Sequence, residues 1–217
     1  MKSSSLPLTC VIVLAGVAIL ANTVRHRQSY RQSSSDYYLL ALSWGPNYCA
    51  SHPEDNSGEC RSGKHTGFIL HGLWPQAESG PSPVSCAPAH PVAHALVDHM
   101  LLYMPSRGLI QHEWAEHGTC SGLSPRDYFG QAELAFKRVQ IPEQYRSFPR
   151  AQEFRVSELK QAFAKTNHTA PATFRVSCHG SELVNVEACL TKDLQFRDCG
   201  SSTRECSADR VKMHAQE

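Results

Sequence analysis

Eight cysteines lie between positions 49 and 206 of this 217-residue chain: Cys49, Cys60, Cys86, Cys120, Cys178, Cys189, Cys199 and Cys206. A ninth, Cys10, sits in an apolar N-terminal stretch and reads as a small apolar residue. The even count and the lack of any C-x-x-C pair argue against a zinc ribbon or a thioredoxin-like site. They point to four disulfides, which persist only in an oxidising compartment. Spacing alone leaves the pairing open. A chain of this length and cysteine content suggests one stapled domain with room for a core.

An oxidising destination requires export, and residues 1–22 read as a signal peptide. Lys2 gives a weak positive start, and Leu8 to Ala21 is apolar but too short for a membrane-spanning helix of about 20 residues. Ala21 is the candidate cleavage position. Arg25, Arg27 and Arg31 follow closely and work against translocation, so an uncleaved anchor is the alternative. Thr23 to Ser35 reads as a flexible polar linker. The folded domain is expected over residues 36–217.

Hydrophobic periodicity then gives an order of elements. Tyr37 to Trp44 predicts a buried strand, ended by Gly45-Pro46-Asn47. Residues 50–66 predict a loop. Phe68 to Trp74 predicts a second strand carrying His71 and stopped by Pro75. Glu78 to Pro91 is a proline-rich irregular segment. Val92 to Tyr103 has helical spacing, and a short helix follows Gly108. Ser124-Pro125 opens another, with Tyr128, Phe129, Ala132, Leu134, Ala135, Phe136 and Val139 on its buried side. Ser157 caps a further helix to Lys165, with Leu159, Ala162 and Phe163 inward. Ala172 to Cys178, Glu182 to Leu190 and Leu194 to Cys199 predict short strands. The class is α+β: a central, mostly antiparallel sheet packed by several helices and braced by disulfides.

Charge excludes the usual nucleic-acid footprint at neutral pH. The chain carries 21 Lys and Arg against 20 Asp and Glu, and the leader takes Lys2 away. Its 12 histidines reverse this below about pH 6, where many protonate and attraction to a polyanion grows.

Two stretches concentrate the chemistry. In His112-Glu113-Trp114-Ala115-Glu116-His117-Gly118-Thr119-Cys120, the four ionisable groups fall within roughly 140° of one helix face, with Trp114 and Ala115 opposite. A surface helix has no structural need for two imidazoles and two carboxylates on one stripe, whereas a proton-transfer reaction needs them. Gly118 suits a left-handed helix end, and Cys120 can tether it. Resemblance to the zinc motif H-E-x-x-H fails, because that motif spaces its histidines by four and here the step is five. In His71-Gly72-Leu73-Trp74-Pro75, a histidine inside an apolar strand must be hydrogen-bonded or line a cleft. Gly72 lets a ligand or another backbone approach closely, and Trp74 offers a stacking surface. Asn167-His168-Thr169 fits a glycosylation sequon. His90, His94 and His99 read as surface residues, and Trp44 and Tyr48 as structural.

Together these stretches resemble the two active-site signatures of the ribonuclease T2 family, here of a bacterial-type member: FILHGLWP (Phe68 to Pro75) and HEWAEHGTC (His112 to Cys120). WGPNYC (Trp44 to Cys49) resembles the family's early strand motif, and Cys178 with VNVEACLTKDLQFRDC (Val184 to Cys199) its C-terminal pattern. The resemblance covers most of residues 37–206. It implies a secreted or periplasmic endoribonuclease, monomeric and without metal, cofactor or stable protein partner, that cuts single-stranded RNA. Attack by the ribose 2′-OH leaves a 2′,3′-cyclic phosphate and then a 3′-phosphate. By position, His117 matches the general base and His71 the general acid. His112 matches the phosphate-binding histidine, Glu113 the carboxylate that stabilises the phosphorane-like state, and Trp74 a base-stacking residue. The resemblance also implies Cys49–Cys60, Cys86–Cys120, Cys178–Cys206 and Cys189–Cys199. Cys86–Cys120 would pin the end of the catalytic helix, worth about 4 kcal/mol in the chain-entropy model.

The chain departs from the family at Glu116, where a lysine is usual. A cation there would stabilise a developing dianionic phosphate and a carboxylate repels it. Three readings are open: Arg61, Lys64 or another cation from elsewhere in the fold replaces the lysine, or Glu116 turns away and leaves a slower enzyme, or it is protonated at the working pH. Glu116→Lys is expected to raise activity or move its optimum upward. Smaller departures are Leu109-Ile110, where aromatics are common, and Gln76, where aspartate is common and which bears on base preference. The competing class is an RNA-binding or toxin-like protein that has lost turnover through Glu116.

Overall fold

The computed structural model describes residues 35–61, 67–200 and 205–216. The signal peptide, nearly all of the polar linker (1–34) and Lys64 lie outside the described residues.

Strand β1 (Tyr37–Trp44) is buried along its whole length, because it runs between β2 (Phe68–Gln76) and β5 (Glu182–Leu190), antiparallel to both. Its apolar run is thus that of a central strand covered on two faces. Leu40, Leu42 and Trp44 face the main core, while Tyr37 and Leu39 pack on the other face with Cys189 and Trp74. Ser43 shares that second parity. The sheet order is β2-β1-β5-β6-β3, with β3 at Gln152–Arg155 and β6 at Arg210–Met213, and β4 (Phe174–His179) also pairs with β5. Among the described residues, only the β5–β6 pairing is parallel.

Helix α1 (Gly45–Ser51) follows β1 at once, so Gly45-Pro46-Asn47 begins a helix as well as ending a strand. Pro46 fits, since proline is preorganised for a first turn. Helices α2 (His94–Met100), α3 (Arg107–Glu116), α4 (Pro125–Arg138) and α5 (Val156–Thr166) supply the main core with Met100, Ile110, Tyr128, Phe129, Leu159 and Phe163. Ser106 caps α3 and Ser124 caps α4, each accepting a backbone N–H. The cap of α5 is Arg155, not Ser157.

Several expectations need correction. Pro75 does not stop β2, which continues to Gln76. β2 is an edge strand, where a missing N–H costs little. Leu134 on α4 is 61% exposed, because it faces away from the stripe that holds Ala132 and Ala135. Leu194 to Cys199 contributes only a bridge from Phe196 to Leu190. The short strands β3 and β6, which pair with each other, replace it. Asn167 is 8% exposed, and its amide bonds Gln140 and Phe163 at the end of α5, so the sequon asparagine is a structural cap.

The disulfides are Cys49–Cys60, Cys86–Cys120, Cys178–Cys206 and Cys189–Cys199. They fit an oxidising compartment. Among the described residues no helix is long and apolar enough to cross a membrane.

Candidate active site

The register of β2 on β1 slips by one residue at a single point: Ala41 pairs with Gly72, and Leu42 with Leu70. His71 is therefore the extra residue of a β-bulge. A regular strand would send His71 and Trp74, three apart, to opposite faces. The bulge breaks that alternation and re-aims the bulged side chain. The two rings come to lie 5.4 Å apart, edge to face.

His71 is held from behind by a chain of side chains. Its Nδ1 lies 2.7 Å from Ser43 Oγ, and Ser43 gives its own proton to Asn185 Oδ1 at 2.8 Å. Because the hydroxyl proton is used on Asn185, Nδ1–H is the donor to Ser43. That leaves Nε2 as the working nitrogen, 3.4 Å from Glu113 Oε1. Asn185 Nδ2 points to Glu187 Oε1 at 3.5 Å, which orients the amide. Neither Ser43 nor Asn185 was singled out from sequence. The available signal was Ser43 near the end of the apolar run YYLLALSW, and Asn185 and Glu187 within ELVNVEACL, polar residues that must find partners when buried.

Glu113 is 1% exposed. Its Oε2 accepts the Trp74 indole N–H at 2.8 Å, tying α3 to β2. A Cβ on residue 72 would lie 1.9 Å from Oε2. Gly72 thus makes room for a carboxylate, not for a ligand or another backbone. Burial pushes the Glu113 carboxyl up to about 8; the Trp74 bond works against this, and the nearby Glu116 adds to it. Burial also holds His71 below its ordinary 6.5, partly offset by Asn185, with His112 lowering it further. Both shifts disfavour charge: burial favours a protonated carboxyl on Glu113 and a neutral imidazole on His71.

His117 is the residue that caps α3, just past the helix end. Its ring lies 5.2 Å from that of Trp74, tilted by 33°. Burial lowers it to about 4, with His112 and His71 adding to the fall and Glu116 opposing it. The imidazole is therefore neutral in mild acid. His112 is exposed, and it lowers both neighbours. Gly118 does not take a left-handed backbone; it opens a 3-10 turn through Cys120. Glycine is needed there because a Cβ would lie 2.2 Å from the Trp114 ring. Cys86–Cys120 closes the turn.

Glu116 faces the proline-rich segment. Its Oε2 accepts the Ser85 hydroxyl at 2.8 Å, and its carbonyl accepts the Ser85 N–H at 2.7 Å. Of the three readings, the turned-away carboxylate matches this geometry. Trp74 is half-buried, in ring contact with both His71 and His117, and tethered by Glu113. Among the described residues, no three His, Cys, Asp or Glu are grouped to hold a metal ion.

A protein-family model described as the Ribonuclease T2 family matches residues 35–199. The chain is similar to a ribonuclease of Aeromonas hydrophila, 46% identical over 93 residues, covering 43% of this chain and 41% of that one. It is also similar to a probable ribonuclease of Haemophilus influenzae, 32% identical over 124 residues, covering 50% and 45%. The matches thus span less than half the length of these curated relatives. Among solved structures, an RNase-related protein from Calystegia sepium shares the fold at a TM-score of 0.69. It is 23% identical, and the match covers 85% of this chain and all of that one.

Proposed function

The chain belongs to the ribonuclease T2 family, and on that premise we propose that it is an endoribonuclease cutting single-stranded RNA by attack of the ribose 2′-OH. In this reading neutral His117 takes the 2′-OH proton as the oxygen attacks phosphorus. The bond to the 5′-oxygen breaks, and that oxygen receives a proton from His71 Nε2. The products are a 2′,3′-cyclic phosphate and a free 5′-OH. Water then enters by the reverse proton path to give a 3′-phosphate.

The convergence of His71, Glu113 and His117 on Trp74, with His117 lowered to about 4 and so neutral in mild acid, carries this reading. The reaction requires one imidazole neutral and another protonated at once. An incoming phosphate anion favours the protonated form of His71, whose Nδ1 is already committed to Ser43. His112, exposed beside both, binds the phosphate, and Glu113 stabilises the pentacoordinate state. Trp74 stacks a base where its ring is exposed. The protein acts as a monomer in the periplasm or outside the cell, without a metal.

Digestion of single-stranded RNA across pH, with EDTA present, tests this. The expected result is EDTA-resistant cleavage that leaves cyclic phosphate. EDTA-sensitive cleavage would favour a metal enzyme, and RNA binding without cleavage the inactive alternative.

A further inference from the structure

The sheet face that carries Ser43 turns polar where it is buried. Asn185 lies opposite Ser43, and Ser177 opposite Asn185. In the next row Glu187 lies opposite Ala41, and Arg175 opposite Glu187. Residues paired in this way share one face of the sheet. Ser43, Asn185, Glu187 and Arg175 are all buried, at 8%, 4%, 5% and 5% exposure. On the other face the same two strands give the main core Val176, Val186 and Ala188. An acid and a base buried in a sheet cost more than an apolar pair of similar volume, so packing alone does not account for Glu187 and Arg175.

Each of these two charges supports the other. Burial lowers the Arg175 guanidinium, and Glu187 and then Glu205 oppose the fall. Burial raises the Glu187 carboxyl, against Ser177, Asn185 and Arg175, with Glu205 adding to the rise. Glu205 is itself paired with Lys160 on α5. An ionised carboxylate only accepts hydrogen bonds. The end of Asn185 turned to Glu187 Oε1 is accordingly Nδ2, at 3.5 Å. That leaves Oδ1 for the Ser43 hydroxyl at 2.8 Å, and leaves Ser43 Oγ to accept from His71 Nδ1 at 2.7 Å. Every member of the line is fixed by the one before it. With the amide turned over, an N–H would face Ser43, the hydroxyl would donate to Nδ1, and a protonated His71 would meet a donor.

We propose that Glu187 is a positioning residue for the general acid: acting through Asn185 and Ser43, it sets the direction of the hydrogen-bond chain and so holds His71 in the form that carries its transferable proton on Nε2. Arg175, across the β4–β5 pairing, keeps Glu187 an acceptor. When Nε2 gives its proton to the leaving 5′-oxygen, the ring is left with its proton on Nδ1, which Ser43 already accepts. No member of the chain has to turn during the step. The inference rests on the endoribonuclease reading above, since it needs His71 to be the acid.

The test uses the full chain and two substrates, an RNA dinucleotide and its analogue with sulfur as the bridging 5′ atom, which departs without a proton. The quantity read is kcat/KM on the thio substrate divided by kcat/KM on the ordinary one, a ratio from which the fraction of folded protein cancels. Glu187→Gln keeps the shape and lets the Asn185 amide turn over; Glu187→Met removes the acceptor. Each is expected to raise the ratio about tenfold over wild type, because only the proton-dependent substrate suffers. Combining Glu187→Gln with Asn185→Asp puts a carboxylate against Ser43 and is expected to return the ratio to within about twofold of wild type. Single variants that lose equally on both substrates, or a double variant that restores nothing, overturn the role of Glu187 alone. Wild-type protein that cleaves neither substrate overturns the endoribonuclease reading and the inference with it.

Discussion

Ser43 accepts the Nδ1–H of His71 at 2.7 Å and passes its own proton to Asn185 Oδ1 at 2.8 Å, linking three adjacent strands behind one imidazole. The Asn185 side chain favours the protonated form of His71. Asn185→Leu is therefore expected to lower the pKa of His71 and move the alkaline limb of kcat/KM to lower pH. Ser43→Ala releases the ring from its tautomer and is expected to reduce kcat/KM about tenfold or more. A pH–rate profile of each variant checks both; an unmoved limb in Asn185→Leu would mean that the chain only packs.

The wild-type profile of kcat/KM is expected to be a bell on the acid side of neutrality. Activity requires neutral His117, so the acid limb lies near its depressed value of about 4. It also requires a proton on His71, held below 6.5 in the free protein, so the alkaline limb falls in mild acid. Initial rates on a dinucleotide between pH 3 and pH 8 measure both. An alkaline limb well above 7 would contradict the burial of His71.

Glu113 opposes stability where it serves activity. Its carboxyl lies at about 8 in the folded protein, against 4.5 in an unfolded chain. Folding thus takes up a proton between those values. The stabilising contribution is complete below about 4.5 and is lost as pH rises through 8. Glu113→Gln keeps an acceptor for Trp74 and removes this dependence. Its melting temperature is expected to exceed the wild type's at pH 8 but not at pH 4. Its kcat/KM is expected to fall on the order of 10². Parallel melting curves against pH would refute this.

Replacing Glu116 by lysine is expected to raise kcat/KM about tenfold by putting a cation near the developing phosphate charge. The direction of the pH effect differs from the sequence-based expectation. Glu116 now holds His117 up and Glu113 up, so the substitution shifts the acid limb down, not the optimum upward. A drop in kcat/KM would show that the Ser85 clamp on Glu116 matters more than its charge.

The apolar runs of β1 and β5 and the helical spacing of α4 could be read from sequence because burial imposes a period on side chains. What escaped was set by register and contact at long range. The bulge that brings His71 round to Trp74 depends on how β2 meets β1, which no local period encodes. Gly118 looked like a left-handed cap, and it is glycine because of the Trp114 ring. Asn167 matched a surface sequon, and it is buried because α5 ends against Gln140. β3 and β6 are four residues each and pair only with strands distant in sequence.

The division of labour between the two histidines is tested most directly by changing the leaving group. A substrate with sulfur in place of the bridging 5′-oxygen needs no protonation to depart. With ordinary RNA, His71→Ala and His117→Ala are each expected to lose on the order of 10²–10⁴ in rate. On the thio substrate His71→Ala should recover most of its loss, and His117→Ala should stay defective. Recovery by His117→Ala instead, or by neither variant, would contradict His71 as the acid and His117 as the base.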